Sequence, residues 1–352
     1  MAGLLDTYLQ EIRGVYPNQF DANEWRFTQS GLLTAVKEMT ESPLSLVTQD
    51  IKDKALASEG RSLKIPVIKQ GELTIKNQRT CNISDFENES ALVTVDWTTL
   101  VVDISMVKAQ YAKNEITYLQ DLNKKLLLVK EAFTKAMEQA IYARLELAKS
   151  TTYNSSLVGA GAKYDLVGDA IQVPLADQEL FFNDLDVIMN EDDFNAPNFQ
   201  VLGSTPLRSP VTHYINQGAG NDENLNYQFA GKSFRFSNRV PSGAGNRASG
   251  FFMTDGSIAM LTRTAIDSVM GNVAGDGTRW ETVMLDGFPF EIGVMHKSQC
   301  SDQKDLNGTG MEHLTATMVE KWQFSIDFGI VTPYQSDPSR PQPIKKFEFK
   351  SA

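Results

Sequence analysis

The 352-residue chain has few residues of the types that build metal centres and disulfides: 2 cysteines and 3 histidines. Cys81 and Cys300 are far apart in the sequence, and neither has a second cysteine or a histidine at the spacing of metal ligands. The sequence therefore predicts two free, reduced thiols, as is usual in a cytoplasmic protein, and no metal site.

The chain also lacks a basic excess and a long apolar run. Its 44 acidic and 33 basic residues give a net charge of -11, whereas nucleic-acid-binding surfaces usually carry a positive excess. No apolar run approaches the ~18 residues of a membrane span, and residues 1–14 hold acids where a signal peptide would be apolar. We expect neither a DNA-reading domain, nor a membrane protein, nor export by a standard signal.

Motifs that would indicate an enzyme or a bound ion are incomplete. Residues 159–161 lack the third glycine of a dinucleotide-binding fingerprint, and residues 243–250 lack the Lys-Ser/Thr pair of a phosphate loop. Residues 305–310 begin like a calcium loop, but the twelfth position is Ala316 instead of a bidentate glutamate. Ser257 lacks the second glycine of a nucleophile elbow.

Titratable side chains give no better candidate. His213, His296 and His313 are far apart, and none belongs to a helical pair with a second ligand or base. The densest acidic cluster, residues 191–193, is explained by a solvated turn after a helix, since paired carboxylates matter only in a cleft that shifts their pKa values. The sequence predicts no catalytic residue, no cofactor-binding residue, no metal ligand and no cofactor, and thus no enzyme.

Residues 113–149 contain no glycine or proline and predict one long helix. Its apolar residues recur in steps of three or four, which places them on one face. They are Ile116, Leu119, Leu122, Leu126, Val129, Phe133, Met137, Ile141, Leu145 and Ala148. At 1.5 Å per residue the helix would be roughly 55 Å long, more than a compact domain needs. We expect a strut whose apolar face meets strands at 91–106 and 311–331, with Lys125 and Lys135 facing solvent or a neighbouring subunit.

Residues 62–106 predict an extended hairpin of two long strands. Leu63, Ile65 and Val67 alternate with polar residues, and residues 91–106 are rich in β-branched and aromatic types. Such a hairpin is marginal alone in water. Basic residues mark the first strand and acidic residues the connection and second strand: Arg61, Lys64, Lys69, Lys76 and Arg79 against Asp85, Glu87, Glu89 and Asp96. A solvated hairpin with scattered charge and a hairpin that docks on an adjacent subunit are both compatible with this pattern.

The remaining segments predict a mixed α+β globule between two flanking regions. Residues 1–60 form an arm that stays loose unless this chain's body or a neighbour holds it. Helices are expected at 175–190 and after Thr205-Pro206, where proline suits the first turn. Strands are expected near 171–174, 199–202, 234–240, 250–263, 280–285, 288–296 and 311–331. A proline-rich tail at 333–343 should cross the surface extended.

Four segments carry a resemblance to a known family. They are NFQVLGSTPLRSPV at 198–211, GFFMTDGSIAMLTR at 250–263, TRWETVMLDGFPFEIGVM at 278–295 and MVEKWQFSIDFGIVTP at 318–333. Together with the order of arm, hairpin, long helix, globule and returning strands, they resemble the major capsid protein of tailed bacteriophages, the Hong Kong 97-type fold. The first three look like central-sheet strands of the family's axial domain, and the fourth looks like the strands that close its peripheral domain.

The resemblance implies an α+β capsid fold with an N-terminal arm, an extended hairpin loop, a peripheral domain with a long spine helix and an inserted axial domain. The expected ranges are 1–60 for the arm, 61–106 for the hairpin and start of the peripheral domain, 107–170 for the spine helix region, 171–300 for the axial domain and 301–352 for the returning strands and tail. Some family members join subunits through a lysine–asparagine bond. Neither Lys69 nor Lys76 matches a motif for it, so we predict no crosslink.

The resemblance further implies a virion shell protein, assembled in the host bacterial cytoplasm, whose pentamers and hexamers enclose double-stranded DNA without reading its sequence. A separate scaffolding protein, a portal and decoration proteins are the expected partners. An encapsulin-type compartment shell shares this fold and stays an alternative. A soluble binding module or an enzyme with a degenerate site is the other, and would be a monomer or small oligomer.

Overall fold

A computed structural model describes residues 31–58, 62–68, 90–111, 117–218, 228–229, 231–304 and 314–351. The helices are α1 Gly31–Glu41, α2 Gln49–Ala57, α3 Tyr118–Ala148, α4 Phe181–Glu191, α5 Arg208–Gly218 and α6 Ile266–Met270. The strands are β1 Ser62–Ile68, β2 Ser90–Asp96, β3 Thr98–Val107, β4 Asp165–Val167, β5 Ala170–Val173, β6 Phe199–Ser204, β7 Gln228–Phe229, β8 Lys232–Ser237, β9 Asn246–Thr254, β10 Ala259–Arg263, β11 Arg279–Met284, β12 Glu291–Lys304, β13 Leu314–Val331 and β14 Ile344–Lys350.

These strands form one two-stranded ribbon and two larger sheets. β1 and β2 pair antiparallel from Ser62 opposite Asp96 to Ile68 opposite Ser90. In the five-stranded sheet, β13 pairs antiparallel with β3, β10 and β12, and β12 pairs with β11. The seven-stranded sheet has the order β4-β5-β14-β9-β6-β8-β7. β13 therefore joins strands from before and after the long helix into one sheet.

The long helix is present as α3, with 31 residues and a length of about 46 Å. It begins with a capping box: the Thr117 side chain accepts a hydrogen bond from the Gln120 N–H, and the Gln120 side chain accepts one from the Thr117 N–H. The helix ends where Lys149 turns extended. The predicted start at 113 lies outside the described residues, which resume at 117.

The apolar stripe of α3 packs against the five-stranded sheet, as predicted. Leu122 through Ala148 of the stripe are buried together with Trp322 and Phe324 of β13 and Met106 of β3. Ile116 lies outside the described residues. The stripe therefore faces 98–107 and 314–331, whereas residues 91–96 pack elsewhere.

Helix α1 belongs to the same core. Five apolar residues of α1 have no exposed surface: Leu32, Leu33, Ala35, Val36 and Met39. They pack against α3 and the sheets, so this part of the predicted arm is held by the chain's own body. The expectation for residues 1–30 lies outside the described part of the chain.

Aromatic residues form a second core on the seven-stranded sheet. Phe181 and Phe182 of α4 contact Phe347 and Phe349 of β14, with ring centroids 5.1–6.5 Å apart. Such ring pairs add stability beyond the area they bury. The predicted helix at 175–190 is shorter at its start because Leu175–Asp177 form a separate 3-10 turn. Likewise, Thr205–Leu207 form a 3-10 turn before α5 begins.

One strand prediction needs correction. Residues 91–106 are not one strand, because the chain breaks at Trp97 and β2 pairs with β1 while β3 pairs with β13. Residues 278–295 contain β11 and the start of β12, which lie in the five-stranded sheet. Val283, Ile292 and Val294 of this segment share the core of α3. The proline-rich tail at 333–343 contains no helix or strand and is followed by β14, which inserts between β5 and β9.

Candidate functional site

The β1–β2 ribbon is attached to the body through one of its faces. Leu63 and Ile65 of β1 and Val95 of β2 are buried on this face. They form a small cluster of their own with Val47, Ala55, Ala259, Leu261 and Val331. We call this cluster the ribbon root. It is separate from both main cores, so the ribbon is an attached element and not a continuation of either large sheet.

The other face of the ribbon is exposed and partly apolar. Ile68 is 70% exposed and Leu92 is 65% exposed, with Pro66 directly opposite Leu92. Of the predicted charged residues, Lys64 and Asp96 lie on this ribbon, and both are exposed. The remaining charges named for the hairpin lie outside the described residues. An exposed apolar strand pair of this kind is a typical protein interaction surface.

The outer face of α3 also carries exposed leucines. Leu128 is 56% exposed and Leu147 is 79% exposed. Lys125 pairs with Asp121 at 2.8 Å, and its ammonium also donates to the Ser105 carbonyl of β3 at 3.0 Å. Lys135 pairs with Glu131 on the helix surface. The predicted outward position therefore holds for Lys135, whereas Lys125 reaches back to its own sheet.

One carboxylate at the middle of α3 is fully buried. Glu138 accepts hydrogen bonds from the Leu32 N–H at 3.1 Å and the Ser237 hydroxyl at 2.7 Å. Burial raises the pKa of Glu138 above its ordinary value, although these hydrogen bonds and nearby Arg239 act in the opposite direction. The carboxylate lies at the N-terminus of α1, where free N–H groups favour a negative charge. Glu138 thus ties α1 and β8 to the long helix.

The two histidines within the described residues, His213 and His296, lie in different elements, α5 and β12, and do not form a catalytic pair. His296 is buried in β12 with its ring 4.0 Å from that of Trp322, and neither ring nitrogen has a hydrogen-bond partner among the described residues. Burial lowers the pKa of His296; Glu320 raises it, and Arg279 and Lys108 lower it further. His213 lies on α5, 4.0 Å from Glu179. His313 lies outside the described residues.

The acidic cluster at 191–193 is only partly the solvated turn that we expected. Asp192 and Lys345 form an ion pair in which both side chains are fully buried. Asp192 also accepts a hydrogen bond from the Asn154 N–H at 2.6 Å, and Lys345 lies over the Tyr153 ring at 4.5 Å. Burial lowers the pKa of Lys345, and the pairing with Asp192 opposes this shift. The pair attaches β14 to the segment that follows α4.

The described residues contain neither a cluster of metal ligands nor a helix that could span a membrane. No group of three or more histidine, cysteine, aspartate and glutamate side chains is arranged to hold a metal ion in the described ranges. The calcium-like segment at 305–310 lies outside them. Among the described helices, none combines the length and apolar character needed to cross a membrane.

No family model and no curated protein matches the sequence. Solved structures do match its fold. A chain of Mycobacterium phage Che8 superposes with a TM-score of 0.52 and 9% identity over 96% of this chain and 97% of that one. A capsid chain of the cyanophage P-SCSP1u gives a TM-score of 0.50 and 10% identity over 96% of this chain and 93% of that one.

This chain has a phage capsid fold. The match covers nearly the full length of both partners. It confirms the α+β capsid fold that the sequence led us to expect. At 9–10% identity, no single residue role can be transferred from these structures.

Proposed function

We propose that this chain is a major capsid protein that assembles through pentamers and hexamers into an icosahedral shell around double-stranded DNA. The observation that supports this most strongly is the capsid fold over 96% of the chain. The acidic net charge fits a wall that encloses DNA without binding its sequence. We further propose a virion location, assembly in the bacterial cytoplasm, and a scaffolding protein, a portal and decoration proteins as partners.

The two larger sheets are the centres of the proposed domains. The five-stranded sheet with α3 would be the peripheral domain, and the seven-stranded sheet with α4 and α5 the axial domain. The linear ranges expected from the sequence follow this division only in part, because β10, β11 and β12 lie in the first sheet and β14 in the second. Both domains would then contain chain segments from before and after residue 300.

The exposed face of the β1–β2 ribbon is the proposed contact with an adjacent subunit. Ring-shaped capsomers need two different surfaces on each copy, because each contact joins one patch to an unlike patch. The exposed face of the ribbon is suited to be one of these two contact surfaces. Its inner face fixes it to the body through the ribbon root, while Ile68 and Leu92 remain open on the other face. This favours docking over a merely solvated hairpin.

The test compares the full chain with the double variant Ile68→Ser, Leu92→Ser, which makes the exposed face of the ribbon polar. Both side chains are exposed and lie outside the ribbon root, so the substitutions leave the attachment of β1 and β2 to the body in place. Particles are counted by negative-stain microscopy after size-exclusion chromatography. We expect closed shells from the full chain, and none from the variant although its thermal unfolding midpoint is unchanged. Equal numbers of shells from both would contradict docking by the hairpin.

A further inference from the structure

Arg263 lies at the base of the ribbon and contacts three different segments. It is the last residue of β10, and its side chain is 10% exposed. Its Nε donates to Asp327 Oδ2 of β13 at 3.0 Å, and its Nη1 donates to the Ser58 carbonyl. Its guanidinium lies over the Trp97 ring, 4.4 Å from the centroid. One side chain thus joins β13 to two points of the chain outside the sheet.

Those two points are where the chain approaches and leaves the ribbon. Ser58 follows the last residue of α2 and precedes β1, which starts at Ser62. Trp97 is the single residue between β2 and β3. β2 belongs to the ribbon and β3 to the five-stranded sheet, so the change of direction takes place at Trp97. Arg263 therefore holds both ends of the ribbon at once.

The anchor of Arg263 is itself fixed by the sheet. Asp327 is the register partner of Arg263 on β10 and of Thr99 on β3. Its second carboxylate oxygen accepts a hydrogen bond from the Thr99 hydroxyl at 2.7 Å. Asp327 is thus held between two strands before it receives the guanidinium. A carboxylate held in this orientation also fixes the orientation of the guanidinium group that donates to it.

The ribbon lies close to β13 beside this anchor. A Cβ added to Gly329, two residues beyond Asp327, would lie 2.8 Å from Cγ1 of Val95 in β2. Glycine at this position permits the approach. Together with the apolar packing of the ribbon root, this contact sets the distance between ribbon and body. Apolar packing is non-directional, whereas the hydrogen bonds of Arg263 to Ser58 and Asp327 are directional, so they add a constraint on the orientation of the ribbon.

We propose that Arg263 is a positioning residue that fixes the angle at which the β1–β2 ribbon leaves the body. The planar guanidinium is needed, because it donates in two directions while stacking on an aromatic ring, and lysine cannot reproduce that geometry. The consequence for assembly rests on the function proposed above: the ribbon angle determines which surface of a neighbouring copy Ile68 and Leu92 can reach.

The experiment measures amide hydrogen exchange in β1 and β2 and, separately, particle formation. Arg263→Ala and Arg263→Lys are compared with the full wild-type chain, taking the unassembled fraction for exchange. Arg340→Ala is the matched control, because Arg340 also pairs with an aspartate, Asp337, but on the surface between β13 and β14. We expect at least ~10-fold faster exchange at 62–68 and 90–96 in both Arg263 variants, unchanged exchange in α3, and no change in the control.

Particle formation decides the second half of the proposal. We expect both Arg263 variants to give no closed shells or shells of altered diameter, while Arg340→Ala gives wild-type shells. Unchanged exchange in the ribbon would overturn the proposal, as would faster exchange with shells of normal number and diameter. Full rescue by Arg263→Lys would show that charge alone suffices and would overturn the role of the guanidinium plane.

The proposal remains testable if Arg263→Ala does not fold or if the wild-type chain does not assemble. If Arg263→Ala does not fold, Arg263→Lys still decides through exchange, because it retains a cation opposite Asp327. If the wild-type chain forms no shells under any condition, the function proposed above fails. The exchange comparison then still shows whether Arg263 holds the ribbon, so the two failures are distinguishable.

Discussion

At the residue scale, Glu138 shows how one buried carboxylate can join three elements. Glu138→Ala removes the acceptor of the Leu32 N–H and the Ser237 hydroxyl and leaves both buried donors unpaired. We expect the free energy of unfolding, measured with urea, to fall by about 2–4 kcal/mol. Glu138→Gln should cost less because an amide oxygen still accepts. Glu131→Ala on the same helix is the control; its surface pair with Lys135 should contribute about 0.5 kcal/mol or less. Equal losses for both alanine variants would refute this role.

His296 gives a prediction for pH at the same scale. Its pKa is lowered in the folded chain, so the neutral ring is favoured there. The stabilisation is complete above about pH 6.5, the ordinary histidine value, and is lost as pH falls from there towards the lowered folded pKa, because the unfolded chain takes up the proton first. Over that window we expect the wild type to lose up to about 1.4 kcal/mol per pH unit more than His296→Phe, which keeps a ring against Trp322. His213→Gln should follow the wild type. Parallel pH profiles for wild type and His296→Phe would contradict the assignment.

Residue roles were the part least accessible from sequence. Glu138 lies in a helix with several solvated acids, and nothing in the local pattern marks it as buried. The local sequence places Asp192 in an acidic turn, yet Asp192 forms a buried ion pair with Lys345, which is 153 residues away. The contacts of Arg263 were equally hidden from the sequence, because its partners Ser58, Trp97 and Asp327 come from three separate segments. Side chains paired over such distances leave no periodic signal.

At the element scale, the two faces of β1 should respond differently to substitution. Ile65 lies in the ribbon root and is 7% exposed, so Ile65→Ala should lower the stability of the subunit by about 2–3 kcal/mol. Ile68, three residues further along, is exposed, so Ile68→Ser should leave the stability within about 0.5 kcal/mol and reduce the yield of shells. Thermal unfolding and particle counts of the two variants provide the measurement. Loss of stability in Ile68→Ser, or normal shell yield, would refute the outward role of this face.

Helices and strands were predicted well where one hydrophobic periodicity continued over many residues. The apolar stripe of α3 extends over about eight helical turns and packs as expected, because a helix with one apolar face is stable only when that face is buried against the core. The strands at 91–106 were harder. Their alternation shifts by one residue after Trp97, where Thr98 and Thr99 are both exposed. The pairing partner changes at the same point from β1 to β13, and pairing between distant segments is not encoded in a local pattern.

At the scale of the whole molecule, the fold was predictable from the order of its segments, although no sequence relative was found. The predicted arm, hairpin, long helix and returning strands follow one another in an unusual order, with unusual segment lengths and hydrophobic periodicities. A capsid fold has elements of these types in this order. Assembly is a property of many copies, so the structure of one subunit supports it through surfaces that remain open. Ile68, Leu92, Leu128 and Leu147 are such exposed positions on the ribbon and the long helix.

The most direct test of the capsid function is electron cryomicroscopy of the full chain, expressed alone and together with the genes that flank it in its genome. We predict closed icosahedral particles built of five- and six-membered rings in at least the co-expressed sample. In their density the exposed face of the β1–β2 ribbon should contact an adjacent subunit, and α3 should lie along the shell wall. A monomer or small oligomer in both samples would contradict the proposed function.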